Sequence, residues 1–137
     1  MQTANRTPLR GLSSYRASQV VTASPHKLVS LLFSGAICSL EQASEAIHNQ
    51  RRAEALSHLT KARRIVAELM TSVKRGSGPM AENLVALYGF VLARLASAGA
   101  EQNPQPIGEA LKVLTPLGEA WASIAEAAEG HRAAQTG

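Results

Sequence analysis

Histidine and glutamate side chains are the first candidates for metal chemistry in this chain. Glu45 and His48 have the Glu-x-x-His spacing of helical di-iron proteins, but such a site needs a second copy of the motif and further inward carboxylates. The sequence holds no second copy, because Glu54 and His58 form only an i, i+4 pair. We therefore expect ordinary surface residues at these positions, with no metal and no cofactor.

Nucleophilic and phosphate chemistry have no better support. Cys38 is the only cysteine, and its neighbours Ile37 and Leu40 predict a buried or half-buried, inert thiol. The chain has no aspartate, which excludes Asp-based triads and EF-hand loops. The Gly-Ser-Gly at 76–78 has no strand before it and no lysine after it, so it is not a phosphate loop. The sequence argues against an enzyme.

Length and composition favour one helical domain. The chain has 137 residues, of which 24 are alanine and 16 leucine, while β-branched and aromatic residues are sparse. No apolar run approaches the ~20 residues that span a bilayer, and residues 1–24 lack the pattern of a signal peptide. We expect a cytoplasmic protein without membrane insertion.

Charge is distributed unevenly. The net charge is +4, with +6 in residues 1–64 and −2 in residues 65–137. A basic half raises the question of nucleic-acid binding. Its arginines and lysines alternate with alanine, leucine and isoleucine, which is typical of the solvated face of a helix. We therefore predict no nucleic-acid partner.

Breaks in the apolar pattern divide the chain into a tail and four helices. Helix starts are indicated by Ser24-Pro25, by Pro79 and by Asn103-Pro104, and a further helix begins near Arg51. Gly99 is the predicted end of the third helix. The fold class is thus all-α, an antiparallel up-down four-helix bundle over residues 24–129. Residues 1–23 form an N-terminal helical or extended cap segment, and residues 130–137 a disordered tail.

Three residues inside these helices depart from helical rules. Gly35 and Gly89 lie mid-helix, where we favour close helix packing over room for a partner's backbone. Pro116 removes one helical hydrogen bond and is expected to kink or split the fourth helix.

The helices carry more apolar surface than one bundle core needs. The first helix has a second apolar line beside its main stripe, formed by Val29, Phe33 and Ile37. Similar residues lie beside the main stripes of the third and fourth helices: Val85, Leu92, Val113 and Leu117. A wide core or an oligomer interface would explain this surplus, and so would a groove for a partner's amphipathic helix.

Several motifs, in order, resemble the flagellar secretion chaperone family FliS. The most specific is Thr-Ala-Ser-Pro-His-Lys-Leu-Val at 22–29, and Leu-Leu-Phe and Gly-Ala-Ile follow at 31–33 and 35–37. Leu12 and Tyr15 match the family's N-terminal apolar-x-x-Tyr element. Asn-Leu and Leu-Tyr at 83–84 and 87–88 resemble its third helix, and Ala-Trp at 120–121 its last. Ser34 departs from the family, which usually has an acidic residue there.

The resemblance implies a cytosolic export chaperone for flagellin. Family members bind the disordered C-terminal segment of flagellin, prevent premature polymerisation and deliver flagellin to the export gate protein FlhA. It assigns Leu12 and Tyr15 to the N-terminal cap and to gate docking. The resemblance and the surplus apolar residues together predict a flagellin-binding groove with these residues: Val29, Phe33, Ile37, Asn83, Leu84, Val85, Tyr88, Leu92, Val113 and Leu117.

Two questions stay open on the sequence alone. The free protein is either a monomer or a homodimer, and an anti-sigma factor is a further partner that the resemblance allows. The alternative function is a small helical adaptor or regulator, which would bind another protein or a nucleic acid through the basic N-terminal half. That alternative predicts binding that weakens steeply with salt.

Overall fold

The computed structural model describes residues 24–136, with side chains described as far as His131. The regular structure in this range consists of four helices: α1, Pro25–His48; α2, Arg52–Ser72; α3, Pro79–Glu101; and α4, Gln105–Thr136. Each helix packs against the next, and α4 returns to pack against α1, which closes the bundle. The predicted all-α four-helix class is confirmed. The predicted cap segment of residues 1–23, with Leu12 and Tyr15, lies outside the described residues.

Helix starts follow the local chemistry that the sequence indicated. The Ser24 hydroxyl caps α1 by accepting a hydrogen bond from the Lys27 backbone N–H at 3.1 Å, with Pro25 as the first helical residue. Proline also opens α3 at Pro79. The Asn103 side chain accepts from the backbone N–H of Gln105 at 3.0 Å, which fixes the start of α4. These starts lie within two residues of the predicted ones.

The end of α3 differs from its prediction. Gly99 does not end the helix, which continues to Glu101 and is capped by Gln102 in the left-handed conformation, with φ at 49°. Gly99 is instead buried against α2, because a Cβ there would lie 3.3 Å from Leu56 Cδ2 and 3.4 Å from Leu59 Cδ1. A single sequence does not distinguish a glycine that allows close helix packing from a glycine that caps a helix.

Other local expectations were also wrong. Cys38 is exposed on α1, because the helix turns it away from the core that Leu40 enters. Pro116 lies on the exposed side of α4 and does not split the helix, whereas the kink that was the other predicted effect stays a prediction. The helix also runs past the predicted boundary at residue 129 to Thr136, in keeping with the high helix propensity of its alanine-rich end.

The core is built from one inward stripe of each helix. Its centre holds Phe33 of α1 and Tyr88 of α3, whose ring centroids lie 6.4 Å apart across the bundle. Gly118 lets α4 approach α1 closely, because a Cβ there would come within 3.2 Å of Phe33 Cβ. The largest fully buried apolar side chains come from all four helices: Phe33, Leu40, Val66, Leu69, Val91, Leu95, Ile107 and Leu114.

Replacing two glycines of α3 by alanine should change the free energy of unfolding in different ways. Gly89 is exposed with open space where a Cβ would stand, so the close packing expected there is absent. Gly89→Ala should therefore raise the free energy of unfolding by about 0.5–1 kcal/mol, through higher helix propensity alone. Gly99→Ala is the matched control, and crowding of Leu56 and Leu59 should remove or reverse that gain. Urea denaturation measures both, and equal gains would contradict this packing.

Candidate partner-binding surface

The third helix is the most apolar of the four, yet it is poorly covered. It is the one described helix that is long and apolar enough, by length and composition, to cross a membrane. Only 28% of that apolar window is buried. Its inner side carries the core residues Tyr88, Val91 and Leu95, so α3 is a bundle helix that leaves a second apolar side uncovered.

That uncovered side follows one line along α3. Asn83, Leu87, Phe90 and Arg94 are spaced four, three and four residues apart, which places them on the same side of the helix. Leu87 is 38% exposed and Phe90 47% exposed. Met80, seven residues before Leu87, is 77% exposed at the start of the helix.

The same line faces the edge of α4. The Arg94 guanidinium donates to the Glu109 carboxylate at 3.1 Å, and this contact places the two residues opposite each other on the antiparallel helices. Met80 lies 14 residues before Arg94 and Ile124 lies 15 residues after Glu109, about 21 Å along each helix. Both residues thus lie near the same end of the bundle, and Ile124 is 44% exposed. We call the surface of Met80, Leu87, Phe90 and Ile124 the α3–α4 face.

The predicted groove residues of α1 do not lie on this face. Phe33 is fully buried. Val29 and Ile37 are partly buried and pack against the core, and Ile37 lies beside the position where Gly118 approaches α1. In this conformation Phe33 offers no surface to a partner.

The predicted groove residues of α3 and α4 are divided between the core and its borders. Tyr88 is buried, whereas Asn83 is exposed on the same side of α3 as Leu87 and Phe90. The remaining five are partly buried: Leu84, Val85, Leu92, Val113 and Leu117. Helical spacing turns Val85 and Leu92 toward the side of Gly99, which faces α2. The structure therefore does not bring the ten predicted residues together in one groove.

Sequence reasoning missed the apolar residues of the α3–α4 face. Met80, Leu87, Phe90 and Ile124 were assigned to no binding surface. Phe90 did carry a signal, because it falls between two apolar stripes and so makes α3 apolar around most of its circumference.

The ionisable side chains of the described residues form no metal-binding cluster, and Tyr88 has a raised pKa. Within the described residues, no three histidine, cysteine or acidic side chains lie close enough to hold a metal ion. Burial raises the pKa of the Tyr88 hydroxyl above its usual value of 10.0, because the phenolate would lose its hydration. The raised pKa thus reflects the burial of Tyr88 in the core.

The raised pKa of Tyr88 predicts a loss of stability in alkali. Between pH 10 and the higher pKa of the folded state, the unfolded chain releases a proton that the folded chain keeps. The free energy of unfolding should therefore fall as pH rises through this window, by up to about 1.4 kcal/mol per pH unit. Tyr88→Phe should remove this contribution, and urea denaturation between pH 9 and 11 measures it. An unchanged pH dependence in the variant would contradict the assignment.

The fold and this surface define a class of protein. The described part of the chain is a helical bundle that leaves apolar side chains of α3 and α4 exposed, and exposed apolar surface of this kind is typical of proteins that bind other proteins. The sequence model of the family described as flagellar protein FliS matches residues 9–128. The chain belongs to the FliS family, which includes flagellar secretion chaperones.

Curated relatives match this chain over most of their own length. The chain is 30% identical over 121 residues to the flagellar secretion chaperone FliS of Vibrio cholerae, covering 88% of this chain and 89% of that protein. It is 32% identical over 112 residues to FliS of Salmonella typhimurium, covering 78% and 81%. FliSB of Pseudomonas aeruginosa is 31% identical over 109 residues, covering 78% and 86%.

Proposed function

We propose that this protein is a cytoplasmic export chaperone that binds the disordered C-terminal segment of flagellin on its apolar surface. It keeps flagellin from polymerising before export and delivers it to the export gate protein FlhA. Family membership supports the chaperone class. The observation that carries the binding proposal is the α3–α4 face, with Leu87 and Phe90 exposed on the most apolar helix.

The physical mechanism is coupled folding and binding. A disordered segment loses conformational entropy when it becomes helical, so it needs a large apolar surface to offset that cost. Burying a leucine or phenylalanine side chain contributes about 1.5–3 kcal/mol. Met80 and Phe90, the two ends of the α3–α4 face along α3, lie about 15 Å apart, which matches roughly three turns of an amphipathic helix.

Roles for the N-terminal segment are part of the proposal. By resemblance, Leu12 and Tyr15 cover the client-binding surface in the free protein and dock at FlhA in the complex. Both residues lie outside the described part of the chain. Their assignment is supported by the family's apolar-x-x-Tyr element, which this sequence retains.

A polymerisation assay tests the proposal. Monomeric flagellin from the same organism is induced to polymerise, and filament growth is followed by light scattering with increasing amounts of this protein. We expect growth to stop near one equivalent, with a 1:1 complex in size-exclusion chromatography. Unchanged filament growth in the presence of correctly folded protein would contradict the proposal.

A further inference from the structure

The opposite edge of α3 forms a second groove, together with α2. A cavity of about 220 Å³ lies between these helices. Leu59 and Leu95 form its apolar floor, and the small residues Ala96 and Gly99 leave it open on the α3 side. Leu56 lines the same cavity and is 39% exposed, so part of this floor meets solvent.

Two arginines flank this α2–α3 groove. Arg52 and Arg63 both line the cavity and both are exposed. They are 11 residues apart on α2, which separates their backbones by about 16 Å. Within the described chain neither forms an ion pair or a side-chain hydrogen bond, whereas the neighbouring Arg51 pairs with Glu54 at 3.8 Å.

Arg52 also joins the groove to a second cavity. This cavity, of about 490 Å³, lies at the end of the bundle where α1 meets α2, and His48 and Gln102 line it as well. Arg52 thus lies between the two cavities, and the 16 Å from Arg63 to Arg52 along the groove correspond to about three turns of helix.

The charge of the groove decides what fits it. Residues 1–23 contain Arg6, Arg10 and Arg16 and no acidic residue, so the groove would repel the chain's own N-terminal segment. The leucine floor, without an aromatic side chain along it, suits the apolar side of a helix better than a nucleic acid. We propose that the α2–α3 groove binds an acidic amphipathic helix of a partner protein, with carboxylates about 16 Å apart that pair with Arg52 and Arg63.

This site is separate from the α3–α4 face. Gly99 and Ala96 point toward α2, whereas Arg94 points toward Glu109 of α4, so the two surfaces lie on opposite edges of α3. The proposal therefore goes beyond flagellin binding and does not depend on it.

Two synthetic peptides of about 18 residues test the proposal by fluorescence anisotropy. Both carry leucines spaced to form one helical face, and one has glutamates 11 residues apart where the other has glutamines. We expect the acidic peptide to bind wild-type protein at least about tenfold more tightly than the neutral peptide. No binding of the acidic peptide, or equal binding of both, would overturn the proposal.

Variants locate the binding. Arg52→Glu with Arg63→Glu should weaken binding of the acidic peptide by about tenfold or more, since attraction becomes repulsion. Lys61→Glu with Arg64→Glu is the matched control, because it changes the charge equally on the exposed outer side of α2 and should alter binding by less than about threefold. Circular dichroism verifies that each variant is folded. A third variant, Ala96→Trp, fills the groove without a change of charge and should also block binding of the peptide.

The remaining outcomes distinguish other occupants. An equal loss of affinity for the acidic peptide in the two charge variants would show unspecific electrostatic attraction and overturn the proposal. Tighter binding of a duplex DNA oligonucleotide than of the peptide, with the same dependence on Arg52 and Arg63, would assign the groove to nucleic acid instead. A wild-type dimer that the Arg52/Arg63 variant dissociates would assign it to a second copy. Retained peptide binding in a variant of Leu87 and Phe90 would support the separation of the two surfaces.

Discussion

Leu87→Glu combined with Phe90→Glu is expected to weaken binding of a flagellin C-terminal peptide by at least about 100-fold. The change removes two apolar side chains from the α3–α4 face and forces the client to bury carboxylates in their place. Losses of 2 kcal/mol or more at interface anchors, about 30-fold each, are typical of such positions. Titration calorimetry with wild-type and variant protein measures the difference.

The same variant should remain folded. Both side chains are exposed by more than a third, so their replacement leaves the core of α3 intact. Ser57→Glu with Thr71→Glu is the matched control, since it adds the same charge to exposed positions on α2. It should bind the peptide within about twofold of wild type. Equal peptide affinities for the Leu87/Phe90 variant and this control would remove the α3–α4 face from the client site.

Phe33→Ala is expected to lower the free energy of unfolding by about 3–5 kcal/mol. Phe33 is fully buried, and its removal leaves a cavity between Tyr88 and the close approach of Gly118. Urea denaturation, followed by circular dichroism, measures the loss as a lower midpoint at an unchanged slope.

The chain's other phenylalanine is the control for this prediction. Phe90→Ala removes an equal side chain from an exposed position and should cost less than about 1 kcal/mol. The difference between the two losses in the free energy of unfolding thus distinguishes the buried phenylalanine from the exposed one. Similar losses in both would mean that Phe90 belongs to the core and that α3 is turned differently in the bundle.

Helix boundaries were predictable because they depend on local chemistry. Ser24, Pro25, Pro79 and Asn103 act within one turn of their own positions, through hydrogen bonds and fixed backbone angles. Gly99 shows the limit of such signals, since its role is decided by Leu56 and not by its sequence neighbours.

The candidate surface was less predictable because α3 is apolar on most of its sides. Periodicity identifies a buried side only where a polar side contrasts with it. Tyr88 and Leu87 are adjacent, and only the packing of α2 and α4 buries the first and exposes the second. Phe33 was misplaced for the same reason, since a second apolar line on α1 does not show which neighbour covers it.

The most direct test of the proposed function is calorimetric titration of this protein with a peptide of about the last 40 residues of its organism's flagellin. We expect 1:1 binding with a clearly negative heat-capacity change, because the peptide folds and buries apolar surface as it binds. Absence of binding by protein that circular dichroism shows to be helical would contradict it. So would binding without a heat-capacity change that disappears at high salt, since that would indicate a charged interface instead of an apolar one.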